Sequence, residues 1–170
     1  DYNDPTLMPE EFEKSLFAML STGVTTCLPT VITGSEEWQI QCFHALEAGR
    51  KASKLAQAMI PGYHLEGPFL NPEEGFCGCH PTKWMRPATW DHFERLQEAA
   101  GGRITLITVA PEIKGVLDLI PKWVEKGIAV AIGHCNPDRD TLLRAADAGV
   151  TLSTHLGNGI AQILPKKDNP

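Results

Sequence analysis

The apolar positions of this chain change period repeatedly, from the spacing of a helix to the unbroken run of a buried strand. Behind Pro9-Glu10-Glu11, Phe12, Leu16, Met19 and Leu20 recur at helical intervals, and Gly23 stands where such a helix closes. The run Val24 to Pro29 predicts a first strand. Ser35 is placed to cap a second helix that runs through Glu36 and Glu37 to about Ala58, and Ile60 to Glu66 predicts a second strand in spite of Pro61. Thr89 caps a helix that Gly101-Gly102 stops, Ile104 to Val109 is a β-branched strand, and a helix interrupted by proline follows up to Gly127. Ile128 to Ile132 predicts the fourth strand. Asn136 as N-cap, with Pro137 in the first helical position, opens a last helix that Gly149 closes ahead of a fifth strand, Val150 to Ser153.

Strands this apolar are covered on both faces, and strands joined through helices run parallel, so the chain is α/β. Periodicity alone leaves a barrel and an open doubly wound sheet both standing. Polar residues gather at the ends of successive strands, at Thr30, Glu66, Pro111-Glu112, His134 and His155. Such ends converge on one mouth in a (β/α)8 TIM-type barrel, whereas an open sheet focuses its ligand at a single switch point. The expected fold is therefore an incomplete barrel of this type, with about five of the eight strands that closure requires. The alternative is an open five-stranded parallel sheet.

Composition narrows the function. The chain has 170 residues, 42% hydrophobic and 21% charged, in the range of an ordinary globular domain. Its 15 basic against 21 acidic residues give a formal charge of -6, with no basic cluster beyond Lys166-Lys167, which argues against nucleic acid and for a small-molecule partner. No apolar run reaches the roughly 20 residues that span a bilayer, and Asp1-Tyr2-Asn3-Asp4 lacks the character of a signal peptide, so a cytoplasmic protein without a membrane partner is expected. The five cysteines, at 27, 42, 77, 79 and 135, have no disulfide-framework spacing and read as reduced thiols. The chain begins without Met and ends on Asp168-Asn169-Pro170 directly after a motif, which suggests a piece of something longer.

The candidate chemistry sits at strand ends. Glu66 lies between His64 and the turn-forming Gly67-Pro68, while His134 and His155 each terminate an apolar strand. A lone strand-end histidine is usually a satisfied core or rim residue, and a lone glutamate a solvated charge. Two imidazoles at successive strand ends with a carboxylate on an earlier one favour coordination of a borderline divalent ion, zinc first and ferrous iron second. Cys77-x-Cys79-His80 has a cysteine spacing too short for a structural zinc finger and no second pair follows. Cys135 reads as a small packing residue, His44 and His92 as solvent-facing on helices, and the four tryptophans as helix-to-barrel packing, with Trp84 placed to border the mouth.

Four runs carry a family resemblance: His64-Leu65-Glu66-Gly67-Pro68-Phe69, Thr108-Val109-Ala110-Pro111-Glu112, Gly133-His134 and Thr154-His155-Leu156-x-Asn158. In order and approximate spacing they resemble the N-acetylglucosamine-6-phosphate deacetylases of the amidohydrolase superfamily, over almost the whole chain. The resemblance implies that residues 1–170 are the central part of a metal-dependent barrel, strands two through six of eight, and that Glu66, His134 and His155 ligate a catalytic divalent metal. It implies that His80 contacts the bound amide and sugar and stabilises the developing oxyanion, and that Asn158, the Gly159 backbone amide and Lys166 hold an N-acetylated amino-sugar phosphate. The family's catalytic Asp and the polar pair of its first strand have no counterpart in this sequence, and family members are commonly dimers, so a homodimer is expected.

One departure falls inside the matched region. Gly157 replaces the family's bulky residue after Thr-His-Leu, and Gly159 follows the Asn, which makes the loop more flexible and less apolar. Two other readings therefore stand beside the deacetylase: an amidohydrolase for a different cyclic or acyl amide, and a catalytically incomplete fragment or binding domain.

Overall fold

The computed structural model describes residues 2–163. Within them the chain alternates helix and strand: α1 (Pro9–Ser21), β1 (Thr30–Ile32), α2 (Glu36–Ala52), α3 (Lys54–Met59), β2 (Tyr63–Glu66), a 3-10 turn at Thr82–Trp84, α4 (Trp90–Ala99), β3 (Ile104–Val109), α5 (Val116–Glu125), β4 (Ala129–Ile132), α6 (Arg139–Ala148) and β5 (Leu152–Ser153). All neighbouring strands pair in parallel, in the sequential order β1-β2-β3-β4-β5. A sequential order has no reversal, so the described sheet has no topological switch point of the doubly wound kind.

Register sorts the strand residues onto two faces. Val31, Leu65, Ile107 and Val130 face one another in one row, and each is fully buried. They meet Phe43, Leu46, Phe93, Leu96, Ile120 and Trp123 of α2, α4 and α5 in one core. The alternate row runs Ile32, Glu66, Thr108, Ala131, so the carboxylate and the threonine share the opposite face. Apolar residues thus fasten the sheet to its helices on one side and leave polar groups free to meet on the other.

Several boundaries differ from the sequence reading. The first strand is Thr30–Ile32, after the run Val24 to Pro29, because pairing with β2 sets its position: Thr30 faces His64 and Ile32 faces Glu66. β2 begins at Tyr63, since Pro61 has no N–H for a ladder. The second helix breaks at Ser53, whose hydroxyl accepts from the Ala56 N–H and starts α3. The last helix is capped by Asp138, which accepts the Thr141 N–H at 2.8 Å, while the Asn136 N–H donates to Glu112 Oε1 at 2.6 Å. Ser35 and Thr89 cap α2 and α4 as expected. His44 is exposed but His92 is buried, with Nδ1 2.8 Å from Glu36 and its ring edge-on to Phe69. Of the tryptophans, Trp123 is fully buried in the core and Trp84 lines a cleft with Trp38 and Pro81.

Candidate functional site

Glu66 ends β2, and the turn that follows turns the chain away: Gly67 has φ +80, and a Cβ there would collide with Thr33 Oγ1. His134 and His155 follow the ends of β4 and β5, and both have left-handed backbones, φ 51 and 55. For side chains with a Cβ this conformation costs about 1–3 kcal/mol each. Backbone bonds offset it. The Asn71 N–H donates to the His134 carbonyl at 3.0 Å, and the N–H groups of Asn158 and Gly159 donate to the His155 carbonyl at 2.7 and 2.8 Å.

The result is a carboxylate ringed by imidazoles. Glu66 Oε1 lies 3.1 Å from His134 Nε2, 3.0 Å from His155 Nε2 and 3.5 Å from His80 Nε2. One ligand atom from each of Glu66, His134 and His155 fits within 4.8 Å of the others, which is the compactness an ion requires. Glu66, His80 and His134 are buried, whereas the His155 side chain is 47% exposed. Burial by itself raises the Glu66 pKa, but hydrogen bonds from His134 and His80 outweigh it and hold the carboxyl well below its usual range. The Glu66 hydrogen bond raises His134 above its ordinary value.

The outer ring nitrogens separate the roles of the buried histidines. His134 Nδ1 lies 2.8 Å from the Phe76 carbonyl, which can only accept, so Nδ1 carries a proton and Nε2 is the atom left to ligate. At His80 the Thr33 main-chain N–H, which can only donate, points to Nδ1 at 3.4 Å, and the Thr33 hydroxyl lies 2.9 Å away. Nδ1 is therefore the acceptor in His80, and its Nε2 holds the proton. His134 Nε2 would offer a lone pair once an ion took the place of the proton it shares with Glu66, whereas His80 Nε2 presents a donor.

The remaining expected residues are placed less tightly. Asn158 is exposed on the loop after β5, and the Gly159 amide is engaged by the His155 carbonyl. Lys166 lies outside the described residues. The same loop and α6 border a cleft of about 190 Å³ lined by Phe76, His134, Leu142, His155, Leu156 and Ile160. All five cysteines are free thiols, and burial with the Glu112 charge pushes Cys135 up to about 12. Phe76, Thr33 and His64 escape a reading of the sequence. The first acts through its backbone, and Thr33 carries no motif signal. His64 did leave one, since it stands two residues before Glu66 and so shares its face. Burial pushes His64 below the ordinary histidine range.

No model of a known protein family matches the chain. Individual relatives do. An N-acetylglucosamine-6-phosphate deacetylase of Bacillus subtilis is 32% identical over 154 residues, covering 91% of this chain and 36% of the relative. The chain is a relative of the N-acetylglucosamine-6-phosphate deacetylases. An N-acetylgalactosamine-6-phosphate deacetylase of Shewanella sp. (strain ANA-3) is 35% identical over 166 residues, 96% of this chain and 39% of the relative. The solved structure of the Mycobacterium smegmatis N-acetyl-D-glucosamine-6-phosphate deacetylase, in complex with N-acetyl-D-glucosamine-6-phosphate, superposes with a TM-score of 0.84 at 29% identity, over 99% of this chain and 42% of that one. The chain thus spans well under half the length of these deacetylases. No helix among the described residues is long and apolar enough to cross a membrane.

Proposed function

We propose that residues 1–170 form the central part of a metal-dependent (β/α)8 barrel hydrolase that removes the acetyl group from an N-acetylated amino-sugar 6-phosphate. The observation that carries this reading is the convergence of three imidazoles on one oxygen of Glu66, with Nδ1 a donor in His134 and an acceptor in His80. The donor set fits a borderline divalent ion: a buried carboxylate, a buried imidazole whose tautomer leaves Nε2 to ligate, and a third imidazole within reach. Glu66, His134 and His155 would hold it, with zinc favoured over ferrous iron. A divalent ion so held supplies Lewis-acid chemistry, polarising an amide carbonyl and lowering the pKa of water.

The chain's own residues do the rest. His80 holds its proton at Nε2, on the side facing Glu66, where it donates to the amide oxygen as negative charge gathers there. Thr33 fixes that ring from behind through Nδ1. Phe76, through its carbonyl, does the same for His134. Asn158, at the open rim, is placed for the polar substituents of the sugar, and Gly159 shapes the loop beneath it. The reading commits to the N-acetylhexosamine 6-phosphate class and not to one epimer, since relatives of similar identity are named for the glucosamine and the galactosamine forms. The whole protein, loaded with zinc or ferrous iron, is expected to release acetate from at least one of these two sugar phosphates; release from neither, under both metals, overturns the reading.

A further inference from the structure

Beneath Glu66, on the same face of the sheet, side chains that the proposed reaction leaves unused form one hydrogen-bonded line. Thr30 Oγ1 lies 3.1 Å from His64 Nδ1, His64 Nε2 lies 2.7 Å from Thr108 Oγ1, and Thr108 Oγ1 lies 2.8 Å from Thr154 Oγ1. The far end gives the line a direction. With the Thr30 hydroxyl turned to the Leu28 carbonyl, 3.5 Å away, Thr30 accepts from His64 Nδ1–H. His64 Nε2 then accepts from the Thr108 hydroxyl, and Thr108 accepts from Thr154. Each proton is used once.

The line crosses the sheet from β1 to the end of β5 and stops one residue short of His155. It passes over β4 at Gly133, where a Cβ would press on Thr108 Cγ2 at 2.9 Å and on Thr154 Cβ at 3.0 Å. The missing side chain is what lets hydroxyls from β3 and β5 meet. The clasp matters because β5 is held weakly by other means. It has two residues, both exposed, in register through Ala131↔Leu152 and Ile132↔Ser153, and the flanking backbone adds two bonds, Thr151 N–H to the Val130 carbonyl at 3.3 Å and Thr154 N–H to the Ile132 carbonyl at 2.8 Å. His155 follows directly, half exposed and in a strained backbone conformation.

We propose that Thr108 is a positioning residue: its hydroxyl, braced by His64 and fully buried, clasps Thr154 and so keeps His155 Nε2 within reach of Glu66. The role rests on the reading of Glu66, His134 and His155 as ligands of one ion. It is tested by measuring zinc affinity of the whole protein, by competition with a chromogenic chelator, together with the visible spectrum of the cobalt-loaded form. Thr108→Val keeps the shape and removes the hydroxyl, and is expected to weaken zinc about tenfold to a hundredfold, the scale of an outer partner of a ligand, and to alter the cobalt spectrum. Thr108→Ser, which restores the hydroxyl, is expected to restore both. Thr154→Val is expected to match Thr108→Val, and carries the test alone if Thr108→Val does not fold. Wild-type affinity in both valine variants overturns the role, as does a serine variant as weak as the valine, because packing would then be the cause. His155→Ala separates the two readings: zinc bound there as tightly as in wild type means that the ligand assignment itself is wrong, whereas lost zinc in that variant with wild-type binding in the valine variants means that only the clasp is.

Discussion

Glu47 and Glu66 are buried to nearly the same degree, 5% and 7% exposed, and are neutralised in opposite ways. Glu47, on α2, sits near the starts of the strands. Arg103, just before β3, grips it with Nε at 2.8 Å and with a second guanidinium nitrogen on the other oxygen, while the hydroxyl of Tyr63, the first residue of β2, donates to it at 2.7 Å. Glu66, at the other end of the same strand, faces imidazoles. Burial raises both carboxyls, and both are carried below their ordinary value, Glu47 chiefly by Arg103 and Tyr63, Glu66 chiefly by His134 and His80. The difference lies in what the partner can do. A guanidinium keeps its charge at any pH a protein survives, so Glu47 is a closed structural pair. An imidazole can give up its proton and leave a lone pair, so Glu66 is an anion whose compensation can be exchanged for a metal. The two carboxylates lie toward opposite ends of one four-residue strand, the structural pair at its start and the imidazole cluster at its end.

The largest test of this contrast is Glu66→Gln. An amide is a poorer ligand than a carboxylate, so the metal retained after dialysis, measured by elemental analysis, is expected to fall to a small fraction of wild type, with affinity down more than about a hundredfold. Full stoichiometry in that variant would make Glu66 a second structural carboxylate and erase the contrast. Next in size is His80→Asn, in the whole protein. With its donor displaced, kcat is expected to fall about 10²- to 10³-fold, the cost of losing one oxyanion donor, while metal content stays at the wild-type level. Loss of the metal instead would place His80 among the ligands and refute its tautomer assignment.

At the other end of β2, Glu47→Gln is expected to lower unfolding free energy at neutral pH by about 2–3 kcal/mol, below the 3–5 of a fully buried pair because the Arg103 side chain is 31% exposed. Metal affinity should not change. The sign with pH follows from the depressed carboxyl: its stabilisation is complete above the ordinary value of 4.5 and fades as pH falls through the lower folded value, so wild type and variant should converge in acid. Denaturant melts at pH 7 and pH 3 check both statements, and a constant gap between the two pH values would mean that the charge on Glu47 is not what the fold uses.

How much of this was legible depended on where the information sits. The parallel alternation of helix and strand, the caps at Ser35 and Thr89, and the company of Glu66, His134 and His155 could all be read because each rests on a residue's own side chain or on local period. β1 could not be placed. The run Val24 to Pro29 is as strand-like as Thr30–Ile32, and the choice is made by the register against β2, which is non-local. The N-cap moved from Asn136 to Asp138 for a similar reason, since Glu112 on a distant loop takes the Asn136 N–H. His92 was misjudged as solvent-facing because its partners, Glu36 and Phe69, come from other parts of the chain. At the site, the carbonyl of Phe76 and the main-chain N–H of Thr33 decide which nitrogen of each histidine is available, and no side-chain pattern encodes a backbone group.

The smallest expected effect is also the most direct probe of exchangeable compensation. Without a metal, His134 Nδ1–H is committed to Phe76, and its Nε2 can bond Glu66 only by carrying a second proton, which is why its pKa is raised above 6.5. Zinc at Nε2 must displace that proton. A raised pKa keeps the proton in competition to higher pH than for a free imidazole, so zinc affinity is expected to climb about tenfold per pH unit from below 6.5 to somewhat above it, then level off once His134 is neutral. Calorimetric titrations in buffers of different ionisation enthalpy count the released proton directly. Glu47 and Arg103 exchange no proton across this range, so the metal-free protein's stability contributed by that pair should stay flat while the affinity rises. A zinc affinity equally flat between pH 6 and 9 would mean that no imidazolium proton guards the site, and the two carboxylates would then differ in position but not in kind.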